Sequence, residues 1–229
     1  MALYAVGDFH LSLSGAKPMD IFGDKWTDHT GKIKESFSAL NDDDVSVLCG
    51  DRRWGMSLDE AEDDFRFINS LPGRKIILKG NHDYWWTTVS KMNAFFRRNG
   101  FDSISILNNN SFTYGNKAIC GTRGWFFEEE TGSTHDRKMI LREAGRLRRS
   151  LDSAGDADKL VFLHYPPLFQ SYICREITDM LKEYDVRLCC YGHIHGASCR
   201  AAFNGWSGST EYRLVSADWL GFKPLKIAD

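Results

Sequence analysis

Residues 75–83 read Lys75-Ile76-Ile77-Leu78-Lys79-Gly80-Asn81-His82-Asp83. An apolar, β-branched run of strand length stops at a glycine and leads straight into an amide, an imidazole and a carboxylate. The pattern recurs along the chain. Leu3–Val6 leads into Asp8-Phe9-His10, Val45–Cys49 into Gly50-Asp51, Leu160–His164 into Tyr165-Pro166, and Arg187–Tyr191 into Gly192-His193-Ile194-His195. In an open α/β sheet the ligand crevice lies beyond the carboxyl ends of the strands, so parallel neighbours would bring these clusters to one place.

Further strands are expected at Ser103–Leu107, Ser111–Tyr114, Lys117–Cys120, Ala201–Phe203 and Tyr212–Ser216. Helices are expected where apolar residues return every three or four positions: Lys32–Leu40, Ser57–Ser70, Thr87–Asn99, Asp136–Ser153 and Gln170–Tyr184. Ser57 with Glu60 forms a capping-box pattern, and Gly100 stands where a C′ glycine belongs. Turns at Gly115-Asn116 and around Gly205–Ser209 suggest hairpins, so the second half is expected to be more antiparallel. No Pro-rich linker or repeat interrupts the chain, and one domain spanning 1–229 is expected. The polar stretches Ser12–Thr30 and Gly121–Thr134 read as long, functional loops.

The 229 residues are 42% hydrophobic and 26% charged, an ordinary globular balance. Twenty-nine basic against thirty-one acidic residues leave a net charge of −2, which argues against nucleic acid or an anionic membrane as partner. No apolar run approaches a membrane span and no secretory leader is evident, so a cytoplasmic protein is expected, with its six cysteines as buried free thiols.

Period two on a strand puts Asp8 and His10 on one side, with Cα atoms about 7 Å apart, and His193 and His195 repeat the spacing. Asp8, His10, Asp51, Asn81, His164, His193 and His195 together exceed the needs of one ion. They suit two ions if a carboxylate bridges them, and oxygen and nitrogen donors without thiolate favour manganese, iron or zinc.

These blocks, in this order, resemble the five motifs of the calcineurin-like metallophosphoesterase superfamily. A tetrapeptide such as Gly80-Asn81-His82-Asp83 occurs by chance on the order of once in 10⁵–10⁶ positions, so the ordered set is specific. Segments 17–23, 69–73, 80–86, 163–167 and 215–218 are further similar to a small group of bacterial phosphohydrolases of unassigned substrate. The resemblance implies an α/β fold, a four-layer α/β/β/α sandwich of two mixed sheets flanked by helices. It also implies hydrolysis of a small phosphate ester, monoester or diester, by water activated between two divalent metal ions, manganese first, with iron, zinc or nickel as alternatives. Asp8, His10 and His195 would bind one ion and Asn81, His164 and His193 the other, with Asp51 bridging. His82 would stabilise the phosphoryl transition state or protonate the leaving oxygen, and Asp83 would fix its tautomer.

One departure is that Arg52-Arg53-Trp54 follows Asp51 where many members carry an acidic residue, which bears on loop geometry and substrate charge preference. The alternative activities are a nuclease or cyclic-nucleotide phosphodiesterase. A catalytically silent scaffold would show missing ligands, and none is missing. Among residues outside the motifs, Arg123 could clamp phosphate through its planar fork or form a salt bridge. Tyr84, heading Tyr84-Trp85-Trp86, could stack on substrate, although packing is the simpler reading for that cluster. His29 and His135 read as loop histidines, and Asp20 and Asp24 as solvated rather than a third metal site. Arg142–Arg149 reads as a solvated helix face, with Leu141, Ala144, Leu147 and Leu151 opposite.

Overall fold

Two sheets stack face to face because their central strands are apolar on both sides. The computed structural model describes residues 1–13, 19–52, 56–127 and 132–229. The first sheet contains β1 (Leu3–Val6), β2 (Val45–Cys49), β3 (Arg74–Leu78) and β4 (Ile104–Ile106), all parallel, with β13 (Leu225–Ala228) antiparallel on the free edge of β1. The second, in spatial order, is β11 (Gly205–Ser207), β12 (Thr210–Leu214), β10 (Leu188–Tyr191), β7 (Asp158–Leu163), β6 (Lys117–Thr122) and β5 (Phe112–Tyr114). A small hairpin, β8 (Leu168–Phe169) with β9 (Tyr172–Ile173), stands apart.

Alternation along each strand sorts residues into layers. Leu3 and Ala5 of β1, Val45 and Val47 of β2, Leu160 and Phe162 of β7 and Leu188 of β10 fill the space between the sheets. Val6, Leu48 and Ile77 face the other way, onto α1 (His29–Phe37), α2 (Glu62–Ser70) and α3 (Val89–Asn99). Val161, Leu163 and Tyr191 face α4 (Thr134–Asp152) and α5 (Arg175–Glu183). The result is the expected α/β/β/α sandwich. All six cysteines are free and buried, and no helix among the described residues is long and apolar enough to cross a membrane.

Several local expectations need correction. The hairpins expected in the second half form, as β5–β6 and β11–β12 at the edges of its sheet, so that half is the more antiparallel one, but the centre, β6–β7–β10–β12, is parallel, with α4 crossing from β6 to β7 and α5 lying between β7 and β10. Ala201–Phe203 is not a strand; it follows a 3-10 turn at Gly196–Ala201, and strand pairing starts at Gly205. Regular helix in α2 starts at Glu62, one turn after the Ser57–Glu60 pair, in which the Glu60 amide donates to Ser57 Oγ at 3.3 Å. The start of the expected Gln170–Tyr184 helix is instead the β8–β9 hairpin, turned by Gln170 in left-handed backbone at φ 51°. Leu141 is 60% exposed; Ile140 takes the core position beside Ala144, Leu147 and Leu151. Lys17 and Pro18, Arg53 and Trp54, and Glu128–Thr131 of the second long loop lie outside the described residues.

Candidate metal centre

Each donor sits where a strand has just ended and the backbone turns sharply. Asp8, His10, Asp51 and His193 all adopt left-handed backbone, with φ of 62°, 47°, 43° and 73°. For residues with a Cβ this costs roughly 1–3 kcal/mol each, strain that persists only where the surroundings enforce it. Backbone stitching does so: the amides of Asp8, His10 and Leu11 donate in succession to the carbonyls of Gly50, Asp51 and Arg52, at 3.0, 2.9 and 2.6 Å. The glycines preceding two motif loops are equally constrained. A Cβ on Gly80 would collide with the Asp51 carboxylate, and one on Gly192 with that of Asp8.

All seven predicted donors gather at one end of the sandwich. Asp8, His10 and His195 form one group, and Asp51, His164 and His193 a second; within each group the ligand atoms lie within 4.8 Å of one another. His10 Nε2 stands 3.3 Å from His195 Nε2, and His164 Nε2 is 3.4 Å from Asp51 Oδ2 and 2.6 Å from Asn81 Oδ1. The groups adjoin, with Asp8 Oδ1 only 3.5 Å from His164 Nδ1.

The electrostatics fit cations. Asp8 Oδ1 is buried without a hydrogen-bond partner among the described residues, an acceptor that a positive ion would satisfy. Burial lifts the Asp8 carboxyl to about 6, against the opposing pull of His195. Burial, followed by the charges of Asp83 and Asp8, raises Asp51 well above the usual carboxylate range. Burial pushes His10 and His164 well below the ordinary imidazole value and His193 down to about 3. A buried cluster of neutral imidazoles and reluctant carboxylates is suited to divalent ions, which accept neutral imidazole and favour the ionised carboxylate.

His82 lines the cleft. Its amide donates to Asp51 Oδ1 at 2.7 Å, and its Nδ1 lies 3.2 Å from the Tyr84 hydroxyl. The expected link from Asp83 to the His82 ring is not what the structure shows. The Asp83 carboxylate is fully buried and takes the amides of Gly80 (2.7 Å) and Arg52 (3.2 Å), the Arg52 guanidinium (2.9 Å) and the Trp85 indole (3.1 Å). These donors use both of its oxygens, so Asp83 shapes the loops while Tyr84 contacts the ring. Arg52 is itself 1% exposed and lies beside the Trp85 and Trp86 rings. That arginine therefore locks the Asp51 loop to the Asn81 loop and does not meet substrate.

Arg123 is not a clamp at the cleft. Its side chain lies against Trp125, 3.6 Å from the wholly buried Glu143, which also binds Arg146 at 2.8 Å. The cleft, about 340 Å³, is lined by His10, Met19, Phe22, Trp26, Asp51, His82, His193, His195 and Gly196. His29 packs on Trp26 and Phe222, and His135 on Trp125. Asp20 and Asp24 join no potential metal group among the described residues.

The sequence reading missed two groups that hold imidazoles in place. The Cys49 carbonyl lies 3.0 Å from His164 Nδ1, and Asp218 Oδ1 lies 2.9 Å from His195 Nδ1. Like the ligands, Asp218 follows a strand end, which was the available signal.

Carboxylates, an amide and imidazoles converging above the carboxyl ends of two stacked sheets define a metal-dependent phosphoesterase. The chain belongs to the calcineurin-like phosphoesterase family, whose pattern matches residues 1–197. No curated protein matches it. Among solved structures it is similar to the phosphopantetheinyl hydrolase of Mycobacterium tuberculosis, at 14% identity and TM-score 0.60, covering 99% of this chain and 95% of that one. A protein of unknown function from Aquifex aeolicus is 16% identical with TM-score 0.52, covering 98% and 95%. A Thermus thermophilus protein is 11% identical with TM-score 0.55, covering 99% and 97%. At these identities the likeness is one of fold.

Proposed function

We propose that the protein hydrolyses a small phosphate monoester or diester, with Asp8, His10 and His195 holding one divalent cation, Asn81, His164 and His193 a second, and Asp51 reaching both. The observation that carries this is the pair of adjoining donor groups, each with two buried members and one partly buried. Bound there, two divalent cations, manganese in our reading although iron, zinc or nickel suit the same donors, would supply an activated water and offset phosphoryl charge.

The chain's own residues do the rest. His82 lines the cleft and is placed to hold a proton for the leaving oxygen, while the Tyr84 hydroxyl on its Nδ1 limits rotation of the ring. The Asp51 carboxylate also takes the His82 amide, so the acid is tied to the metal group it serves. A cleft of about 340 Å³ with Met19, Phe22 and Trp26 on one wall suits a small ester. Six free, buried thiols accord with a reducing compartment, and we take the cytoplasm as its location.

The test is hydrolysis of p-nitrophenyl phosphate, bis(p-nitrophenyl) phosphate and a phosphopantetheinyl ester, the last suggested by the neighbour's name, with and without manganese. Metal-dependent turnover on one of them is expected. Turnover on none of them overturns the proposal, and activity confined to RNA or DNA makes the protein a nuclease.

A further inference from the structure

We infer that Asp218 is a positioning residue for the first donor group, setting the His195 ring so that Nε2 alone faces the cation; the inference rests on the phosphoesterase reading above. Asp218 lies beyond residues 1–197, the part of the chain that matches the family.

Backbone pairing fixes its place. As β12 ends, the Val215 amide donates to Tyr191 O at 2.7 Å and the Val215 carbonyl accepts from Gly7 at 2.7 Å. The Ala217 amide then donates back to Gly7 O at 3.0 Å. This short segment is therefore pinned to the strand that leads to His195 and to the strand that leads to Asp8. A turn follows at once, with the amides of Trp219 and Leu220 both on Ser216 O at 3.1 Å and that of Phe222 on Ala217 O at 2.7 Å. Asp218 projects from this turn with its side chain 2% exposed.

Both of its oxygens are used. Oδ2 accepts the Gly196 amide at 2.8 Å, which orients the carboxylate, and Oδ1 faces His195 Nδ1 at 2.9 Å. With the Nδ1 proton committed to Asp218, the free lone pair is on Nε2, which lies 3.3 Å from His10 Nε2 and 3.9 Å from Asp8 Oδ1. Packing constrains this ring less than that of His164, because the His195 side chain is 32% exposed while that of His164 is wholly buried. His164 leans on a main-chain carbonyl; His195 depends on a side chain that can be replaced. Carboxylates behind ligating imidazoles are typically worth about 10–100-fold in metal affinity.

The test uses the full chain and Asp218→Asn. An amide has one acceptor oxygen where the carboxylate has two, so either the Gly196 amide loses its acceptor or the Nδ1 proton of His195 does. Zinc is titrated into metal-free protein against a fluorescent chelator. Wild type is expected to bind two ions, and D218N to bind one unchanged and the other about 10–100-fold more weakly. Affinities in D218N that match wild type at both sites overturn the inference. Histidine ¹⁵N spectra of zinc-loaded wild type provide a check independent of the variant: a protonated Nδ1 and ligated Nε2 at His195 are expected, and zinc on Nδ1 overturns the inference. Wild type that binds no ion overturns the phosphoesterase reading itself, a different result from loss of the Asp218 effect.

Discussion

The two sheets do not contribute alike to the cleft. The first supplies both carboxylates among the donors, Asp8 and Asp51, together with His10, Asn81 and His82; the second supplies only the imidazoles His164, His193 and His195. Yet each donor group draws on both sheets, so an ion in either group would join the two across their stacked ends. Burial acts on both sets and moves them in opposite directions. It pushes Asp8 and Asp51 toward holding a proton and His10, His164 and His193 toward losing one. The second sheet's His164 and His193 therefore meet a cation in the form it needs, while burial leaves the first sheet's carboxylates less ready to ionise. The carboxylates are accordingly the more sensitive side of the site.

The sharpest way to break that contrast is Asp51→Asn. A metal-held charge arrangement is worth several kcal/mol in the transition state, so turnover should fall about a thousandfold. The expected result is low kcat with reduced metal content by elemental analysis. Full activity would show that the first sheet's carboxylate is dispensable.

Next in size is a stability effect in the same sheet. Arg52→Leu leaves Asp83 buried opposite an apolar side chain, and removing one partner of a buried pair costs about 3–5 kcal/mol. For a chain of this length that is about 10 °C in Tm, readable by calorimetry of the metal-free protein. His82→Ala should lower kcat about a hundredfold and leave metal content unchanged, since the ring lines the cleft outside both donor groups.

The same asymmetry explains what could be read from the sequence. Ligands at strand ends were legible because a buried β-branched run followed by Gly-Asp or Gly-Asn leaves few other readings, as at Val45–Asp51. The parallel centre of the second sheet was not, because local turns at Gly115 and Gly208 signal hairpins that turned out to be edges. Strand β13 escaped notice because Leu225–Ala228 is short, half-exposed and paired on one side only. Asp83 was assigned to the neighbouring imidazole because the family resemblance implied it. In space its oxygens are taken by Arg52, whose burial no local pattern announces.

A milder perturbation is pH. In the metal-free protein Asp8 titrates at about 6, because burial raises it. Below that value a proton must be displaced before the carboxylate can bind a cation, so affinity should fall roughly tenfold per unit as pH drops. His195 adds to the fall: burial lowers its basicity, but the Asp218 hydrogen bond and the Asp8 and Asp218 charges outweigh burial and raise it. His193, held at about 3, should not compete. Manganese titrations at pH 5 and pH 7 would show this, and equal affinities would mean that the carboxylate is already ionised without metal.

The smallest effect separates the two residues around His82. Tyr84 is exposed, and its hydroxyl contact with the imidazole should be worth about 1 kcal/mol, so Tyr84→Phe should lower kcat about fivefold and leave Tm in place. Asp83→Asn should do the reverse, lowering Tm through the lost partner of Arg52 while the pH profile of kcat keeps its shape. If Asp83→Asn instead shifts the pH profile and Tyr84→Phe leaves kcat unchanged, the ring is oriented through the loop after all. The division between a loop-shaping carboxylate and a ring-holding hydroxyl would then fail, because Asp83 touches the imidazole only through backbone that both share.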